Sequence, residues 1–391
     1  MSPIANALLS EKQLNKMEPF YPLHAYVCEA CLLVQLEEFE TPGHIFNDQY
    51  AYFSSYSETW LDHARRYSEA ITARLGLNKD SFVVEIASND GYLLQHFVKK
   101  GIPALGIEPS GNVASAAKEK GIDTLVEFLT ADSAKKVVSK RGTADLVLGN
   151  NVLAHVPALN DFVEGLRILL SEHGVLTMEF PHLLCLIRES QFDTIYHEHF
   201  SYFSFIAVKE IFARHGLRIF DVDELSTHGG SLRIYAAHDV CRHWKEQPAV
   251  AELLAKERSE GFDDLSSYSN FSKKVNRTKR DLLRFLIDVK REGNKIVGYG
   301  APAKGNTLLN FCGIRSDFLD YTVDRSPQKQ GMFLPGTHIP IAAPEKIFET
   351  KPDYVLILPW NLRDEIVAQM SGIAEWGGKF VVPIPEVRVL D

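Results

Sequence analysis

The sequence predicts an α/β protein made of doubly wound parallel sheets, and three observations lead there. Short apolar strands alternate with helix-period segments. That alternation occurs in two runs, parted by a long charged helical stretch. With 391 residues, 45 % of them apolar and 24 % charged, the chain is too long for one ordinary core and implies two or three domains.

Residues 1–45 lack the strong alternation, hold short β-prone pieces such as YPLHAYVCEACLLVQL, and read as a small β module. The helical stretch ETWLDHARRYSEAITARLGL then leads into an apolar strand, FVVEI, the loop ASNDG and the helix pattern YLLQHFVKK. The same unit returns as PALGIEP with NVASAAKEKG, ADLVLGN with LNDFVEGLRILLSEHG, and GVLTMEFP. This first sheet ends near residue 240, so the central domain is placed over residues 46–248. A charged helix from Ala249 to Glu292 opens the third domain, residues 249–391, with strands in KIVGYG, YTVDRS, IPIAAPEKI and YVLILPW.

Charge and composition exclude several classes. The net charge of −9, from 42 Lys and Arg against 51 Asp and Glu, opposes the counterion release that drives non-specific nucleic-acid binding. No stretch approaches the roughly 18 to 20 apolar residues of a membrane helix, and MSPIANALLSEKQ has neither a basic n-region nor a long apolar h-region. A cytoplasmic chain is expected, with no membrane partner. Five cysteines, Cys28, Cys31, Cys185, Cys241 and Cys312, make an odd, dispersed set that suits a reducing compartment. Oligomeric state leaves no sequence signature here.

An open α/β sheet binds ligands beyond the carboxyl ends of its strands, which directs attention to three loops. The first is Glu85-Ile86-Ala87-Ser88-Asn89-Asp90-Gly91, whose small residues allow close backbone approach. The second is Glu108-Pro109-Ser110, with an acid 17 positions after Gly91 that can accept from ribose hydroxyls. The third begins Asn150-Asn151 and runs to His155. A phosphate wants bare N–H groups and no carboxylate. Glu85 and Asp90 instead suit a cationic ligand, and S-adenosylmethionine, with its sulfonium and ammonium, is one. Solvated strand-end acids are the bland alternative for either glutamate alone. These residues resemble the class I S-adenosylmethionine-dependent methyltransferases, which implies cofactor contacts at Glu85, Ala87, Asn89, Asp90, Gly91, Glu108, Pro109, Asn150 and Asn151.

Downstream, FPHLLCLIRESQFDTIYHEHFSYFS packs Tyr196, His197, Glu198, His199 and Tyr202 into seven positions. In an extended segment alternate residues share a face, so His197 and His199 should point together and Glu198 away. Two histidines are too few for zinc. A histidine near its ordinary pKa of about 6.5 can instead take a proton from a carbon acid. Satisfied loop histidines are the plainer alternative.

Over nearly its whole length, through PIANALL, YPLHAYVCEACLLVQL, DQYAYFSSYS, EIASNDG, NVLAHV, TIYHEHFSYF, HGGSLR and GYGAPAKGNTLLN, the chain resembles the deoxysugar C-methyltransferases. The resemblance implies methylation of a nucleotide-linked 4-keto sugar, with a thymidine nucleotide expected, at C3 or C5 beside the ketone. It also implies a C-terminal Rossmann-like domain without NAD. Carried over by position, it implicates Tyr196, Glu198, His199 and His155 in catalysis, and Tyr50 in substrate contact. Enolate formation needs a base near the carbon and a donor near the oxygen. His199 is read as the base, with Tyr196 or His155 as donor.

His228-Gly229-Gly230-Ser231-Leu232-Arg233 offers His228, Gly230, Ser231 and Arg233 to a phosphate or sugar, or is simply a tight turn. Gly298-Tyr299-Gly300-Ala301-Pro302-Ala303-Lys304 follows a strand and opens a helix, with Asp324 24 residues after Gly300. This is a weak dinucleotide fingerprint, read as a substrate cover with Lys304 on the diphosphate. An NAD-dependent sugar oxidoreductase or epimerase using that turn is the rival reading.

Cys28-x-x-Cys31 is half a zinc knuckle. The resemblance implies a second cysteine pair upstream, which falls before residue 1, so the site is expected to be incomplete and the two thiols structural. His24 and His44 are the nitrogen donors that could stand in.

Overall fold

The computed structural model describes residues 1–41, 43 and 53–390. Three sheets organise it. The central one contains β3 (Val83–Ile86), β4 (Ala104–Ile107), β5 (Thr124–Leu125), β6 (Ala144–Asn150), β7 (Leu170–Pro181), β9 (Leu217–Leu225) and β10 (Ser231–His238). Its strand order is β5-β4-β3-β6-β7-β10-β9. Every neighbouring pair is parallel except those of β10, which runs against both β7 and β9. This is the class I methyltransferase arrangement, with the order reversing at β3 and β6, where a ligand crevice forms. Val83, Val84 and Leu146 to Leu148 are wholly buried, because a parallel strand is covered on both faces.

The third sheet has the order β13-β12-β11-β14-β15-β16. It comprises β11 (Ile296–Tyr299), β12 (Thr322–Val323), β13 (Ile341–Ala342), β14 (Tyr354–Ile357), β15 (Lys379–Val382) and an antiparallel edge, β16 (Arg388–Leu390). A second doubly wound domain is therefore present. The charged stretch before it is broken rather than continuous. Helices Pro248–Ser259, Ser266–Ser269 and Phe271–Arg291 replace the single helix expected, and the first ends against Gly261 at φ +77°. Val250 and Leu253 pack into the core of the central sheet although they follow its last strand in sequence.

The N-terminal module is not self-contained. β1 (Ala25–Val27) and β2 (Val34–Leu36) are completed by β8 (Ser201–Tyr202), which belongs to the histidine-rich segment. The Leu9 N–H and C=O pair with Phe333, and Glu18 accepts from the Gly336 N–H, so the same module also grips the C-terminal domain. Among the described residues, no helix is long and apolar enough to cross a membrane.

Candidate functional site

The loop after β3 folds back sharply, with Ala87, Asn89 and Gly91 at φ +54°, +50° and +76°. That brings the Asn89 N–H onto Glu108 Oε2 at 3.0 Å, while Glu108 Oε1 accepts from the Ser110 N–H at 2.9 Å. Pro109 lies between these anchors, ahead of helix Gly111–Glu119. Asp90 pairs through Oδ2 with Lys120 at 3.1 Å. Buried polar atoms without a hydrogen bond gather along this edge: both oxygens of Glu85, Ser88 Oγ, Asp90 Oδ1, Ser110 Oγ, Asn150 Nδ2 and Asn151 Oδ1. Unsatisfied buried polar groups are costly, and such a concentration marks where a polar ligand completes the bonding. Burial holds the Glu85 carboxyl well above the usual range, with like charge from Glu108 and Asp90 adding to it. A cation would relieve that strain, so these residues fit S-adenosylmethionine.

Next to this edge lie the histidines. Tyr196 and His199 are joined by a 2.8 Å hydrogen bond between the phenol and Nε2, and His199 Nδ1 donates to the Thr194 carbonyl at 2.9 Å. The ring of His155 stands edge-on to His199 with centroids 4.7 Å apart, its Nδ1 donating to the Glu198 carbonyl at 2.6 Å. Burial lowers His155 to about 4 and His199 well below the ordinary histidine value, His155 adding to the effect on His199. Both rings are therefore neutral at neutral pH.

The expected alternation across this segment does not occur. The His199 N–H bonds back to the Tyr196 carbonyl at 2.8 Å, folding residues 196–199 into a turn. His197 consequently faces away from His199, donating through Nε2 to the Pro22 carbonyl at 2.9 Å, with Tyr21 and Phe39 packed on its edge. As the Pro22 carbonyl can only accept, His197 Nε2 carries the proton. Glu198 is buried and accepts at Oε1 from both the N–H and the side-chain amide of Asn6, each at 3.1 Å. Asn6 is a contact that sequence reading missed.

Other sequence candidates separate. His228, at φ +53°, accepts from the Asn151 amide at 2.9 Å and is lowered to about 4 by burial and the charge of Lys304. Lys304 reaches across from the C-terminal domain, bonded to Asn361 Oδ1 at 2.8 Å and 4.8 Å above the Trp360 ring. Its charge adds to the lowering of both His199 and His228. Gly230 and Ser231 have structural tasks instead: a Cβ on Gly230 would lie 2.6 Å from Cys185 Sγ, and Ser231 Oγ donates to Thr227 O. Arg233 is likewise committed, to Glu179 at 2.7 Å, with its guanidinium 4.4 Å over Tyr67. Glu179 also holds His63 and Thr227, a buried network the sequence reading did not anticipate. Tyr50 lies outside the described residues, as does His44.

At the C-terminal sheet the turn after β11 is filled. A Cβ on Gly300 would sit 2.5 Å from Pro359 Cδ, and Asp324 accepts from the Ala301 and Ser326 N–H groups and faces Lys329 at 3.6 Å. Among the described residues, no buried unpartnered polar atom lies in residues 296–304 or at Asp324, in contrast with the first sheet.

In the N-terminal module Cys28 and Cys31 close a tight turn, and N–H groups of Cys31 and Ala30 lower the Cys28 thiol. Burial raises Cys31. The ring of His24 lies tilted at 53° to that of Tyr26, centroids 4.7 Å apart. Among the described residues no cluster of three or more metal-ligating side chains exists, so they do not by themselves fit a zinc ion.

Comparison with known proteins accords with this geometry. Residues 1–46 match a putative zinc binding domain family, 60–222 a methyltransferase domain family, and 226–385 the C-methyltransferase C-terminal domain family. The C-methyltransferase NovU of Streptomyces niveus is 36 % identical over 389 residues, covering 100 % of this chain and 92 % of that protein. The chain belongs to the C-methyltransferases. As a C-methyltransferase it is an S-adenosylmethionine-dependent enzyme, and the boundary between its last two matched segments falls inside the central sheet, between β9 and β10. Among solved structures, magnesium protoporphyrin IX methyltransferase from Synechocystis aligns at 16 % identity over 50 % of this chain and 88 % of its own, with TM-score 0.35. A Clostridium acetobutylicum S-adenosylmethionine-dependent methyltransferase aligns at 11 % over 46 % and 92 %, with TM-score 0.37.

Proposed function

We propose that this C-methyltransferase acts on a nucleotide-linked 4-keto-deoxysugar, methylating the carbon beside the ketone. The observation that carries this reading is the Tyr196–His199 pair, held at 2.8 Å beside His155 and next to the acid-lined edge of the first sheet. A carbon acid requires an unprotonated base and a donor for the developing enolate oxygen. With Nδ1 donating to Thr194, the lone pair of His199 resides on Nε2, where Tyr196 now donates. Tyr196 turns its hydrogen onto the keto oxygen, which releases Nε2 to take the proton from carbon. The Thr194 carbonyl steadies the imidazolium that results, and Lys304 places positive charge on the side where the enolate forms.

Glu85, Asp90, Asn89, Glu108, Asn150 and Asn151 would hold S-adenosylmethionine, which when bound supplies an electrophilic methyl group. Proximity and orientation are the protein's main contribution to the transfer. The thymidine nucleotide and the position, C3 or C5, rest on resemblance to the deoxysugar C-methyltransferases, and a cytoplasmic location on the odd, dispersed cysteines that suit a reducing compartment. The test is mass spectrometry of candidate nucleotide 4-keto sugars treated with methyl-labelled cofactor. One labelled methyl on carbon supports the proposal; methylation confined to oxygen or nitrogen, or none on any ketosugar, overturns it.

A further inference from the structure

Residues Phe192–Thr194 form a single 3-10 turn within the catalytic segment, yet by packing this turn belongs to the C-terminal domain. Phe192 joins that domain's core, with its ring 5.1 Å from Phe311. Asp193 is completely buried and accepts at Oδ2 from the indole N–H of Trp360 across 2.7 Å, a bond spanning 167 residues of sequence. Its other oxygen, Oδ1, has no partner among the described residues. Trp360 is in turn wedged against the turn after β9: a Cβ on Gly229 would lie 2.6 Å from Trp360 Cη2 and 2.8 Å from Gln191 Nε2. Gln191 closes the circuit by donating to Gly229 O at 2.7 Å. The next residue after Asp193 is Thr194, whose carbonyl receives the Nδ1 proton of His199.

From this geometry we infer that Asp193 is a positioning residue. Through its bond to Trp360 it lets the C-terminal domain set the tautomer and aim of His199. The inference rests on the reading of His199 as the base, and adds that the base is assembled only when both α/β domains are docked. A peptide carbonyl orients the ring, and the buried Asp193–Trp360 bond orients that peptide. Burial raises Asp193, to about 6 once the opposing Lys304 charge and the Trp360 bond are included. Small errors in the placement of a reacting group are expensive, so loss of this anchor should lower turnover about 10- to 100-fold.

The experiment is nitrogen-15 NMR of histidine-labelled full-length protein, with the His199 signals assigned from His199→Asn. The expected wild-type pattern is Nδ1 protonated and Nε2 bare. Trp360→Phe, which keeps the ring and removes the donor, and Asp193→Ala should give mixed tautomers at His199. Asp193→Asn keeps an acceptor for the indole and should retain the wild-type pattern. Turnover of whichever methyl acceptor proves active should follow the same order, with the KM for S-adenosylmethionine unchanged. An unchanged His199 tautomer in both Trp360→Phe and Asp193→Ala overturns the inference. So does unfolding of both, which would make the pair a prop of the core. The tautomer readout needs no substrate, so failure of the ketosugar reading is separately visible.

Discussion

Tyr196 donates its phenolic hydrogen to Nε2 of His199 across 2.8 Å, so the lone pair of that nitrogen is occupied, and the proposed mechanism frees it when a ketone offers the phenol another acceptor. Replacing His199 with Asn should leave S-adenosylmethionine affinity near wild type by calorimetry and lower turnover by about 100-fold or more, because only proton abstraction is lost. Tyr196→Phe should retain exchange of the substrate's acidic proton with D2O but slow it by about 10- to 100-fold, since the donor to the enolate oxygen is gone. Faster exchange in Tyr196→Phe would show that the phenol only obstructs the base.

The pH dependence follows from burial. His199 is held well below the ordinary histidine value by burial first and by His155 second, and His155 itself titrates at about 4. A lowered pKa keeps the base unprotonated as the medium is acidified. The acid limb of kcat/KM should therefore lie below the pH of about 6.5 where an exposed histidine would place it. A profile measured from pH 5 to 8 with its acid midpoint at or above 6.5 would remove His199 from the role of base.

The strands around the site were legible because a buried parallel strand is a continuous apolar run, and ADLVLGN matches β6 residue for residue. β5 and β8, two residues each, were not read as strands. The histidine segment misled for a local reason: an N–H to C=O bond from His199 to Tyr196 turns the chain, and period-two reasoning applies only to extended backbone. Asn6, Asp193 and Trp360 were invisible for another reason, since each matters through a partner more than 160 residues away. Trp360 had one usable signal. It follows β14, whereas strand-end reasoning in the C-terminal sheet reached only the ends of β11 and β12.

Glu85 offers a cofactor-linked prediction. Its carboxyl is held well above the usual range by burial, so in the free protein it retains a proton to higher pH than an exposed glutamate. A bound cation favours the carboxylate, and binding must then release that proton. S-adenosylmethionine affinity should rise with pH through this titration, by at most about tenfold per unit. Calorimetry in buffers of differing ionisation enthalpy should report the released proton, and Glu85→Gln should abolish both effects. Binding that is flat in pH and releases no proton would place the cation elsewhere.

The two sheets can be told apart by titration with NAD. Pro359 occupies the space at Gly300, and Asp324 is engaged by two N–H groups and Lys329. Filled turns give a dinucleotide no backbone to approach. No calorimetric heat above dilution is expected with NAD at concentrations that saturate the first sheet with S-adenosylmethionine. Saturable NAD binding, lost in Asp324→Ala, would restore the oxidoreductase reading.

Asn6 ties the N-terminal segment to the catalytic turn through two 3.1 Å bonds to one oxygen of Glu198, whose other oxygen is already buried without a partner. Burial raises the Glu198 carboxyl, and the Asn6 donors work in the opposite direction. Removing the side-chain amide in Asn6→Ala leaves the backbone N–H as the donor on Oε1, and strands part of a buried acceptor at a cost of about 1–3 kcal/mol. The urea midpoint should fall accordingly. Turnover should fall with it, because the Glu198 carbonyl is what receives the Nδ1 proton of His155. If Asn6→Ala unfolds and turns over like wild type, the segment's grip lies in the Leu9–Phe333 pairing and the catalytic turn stands without it.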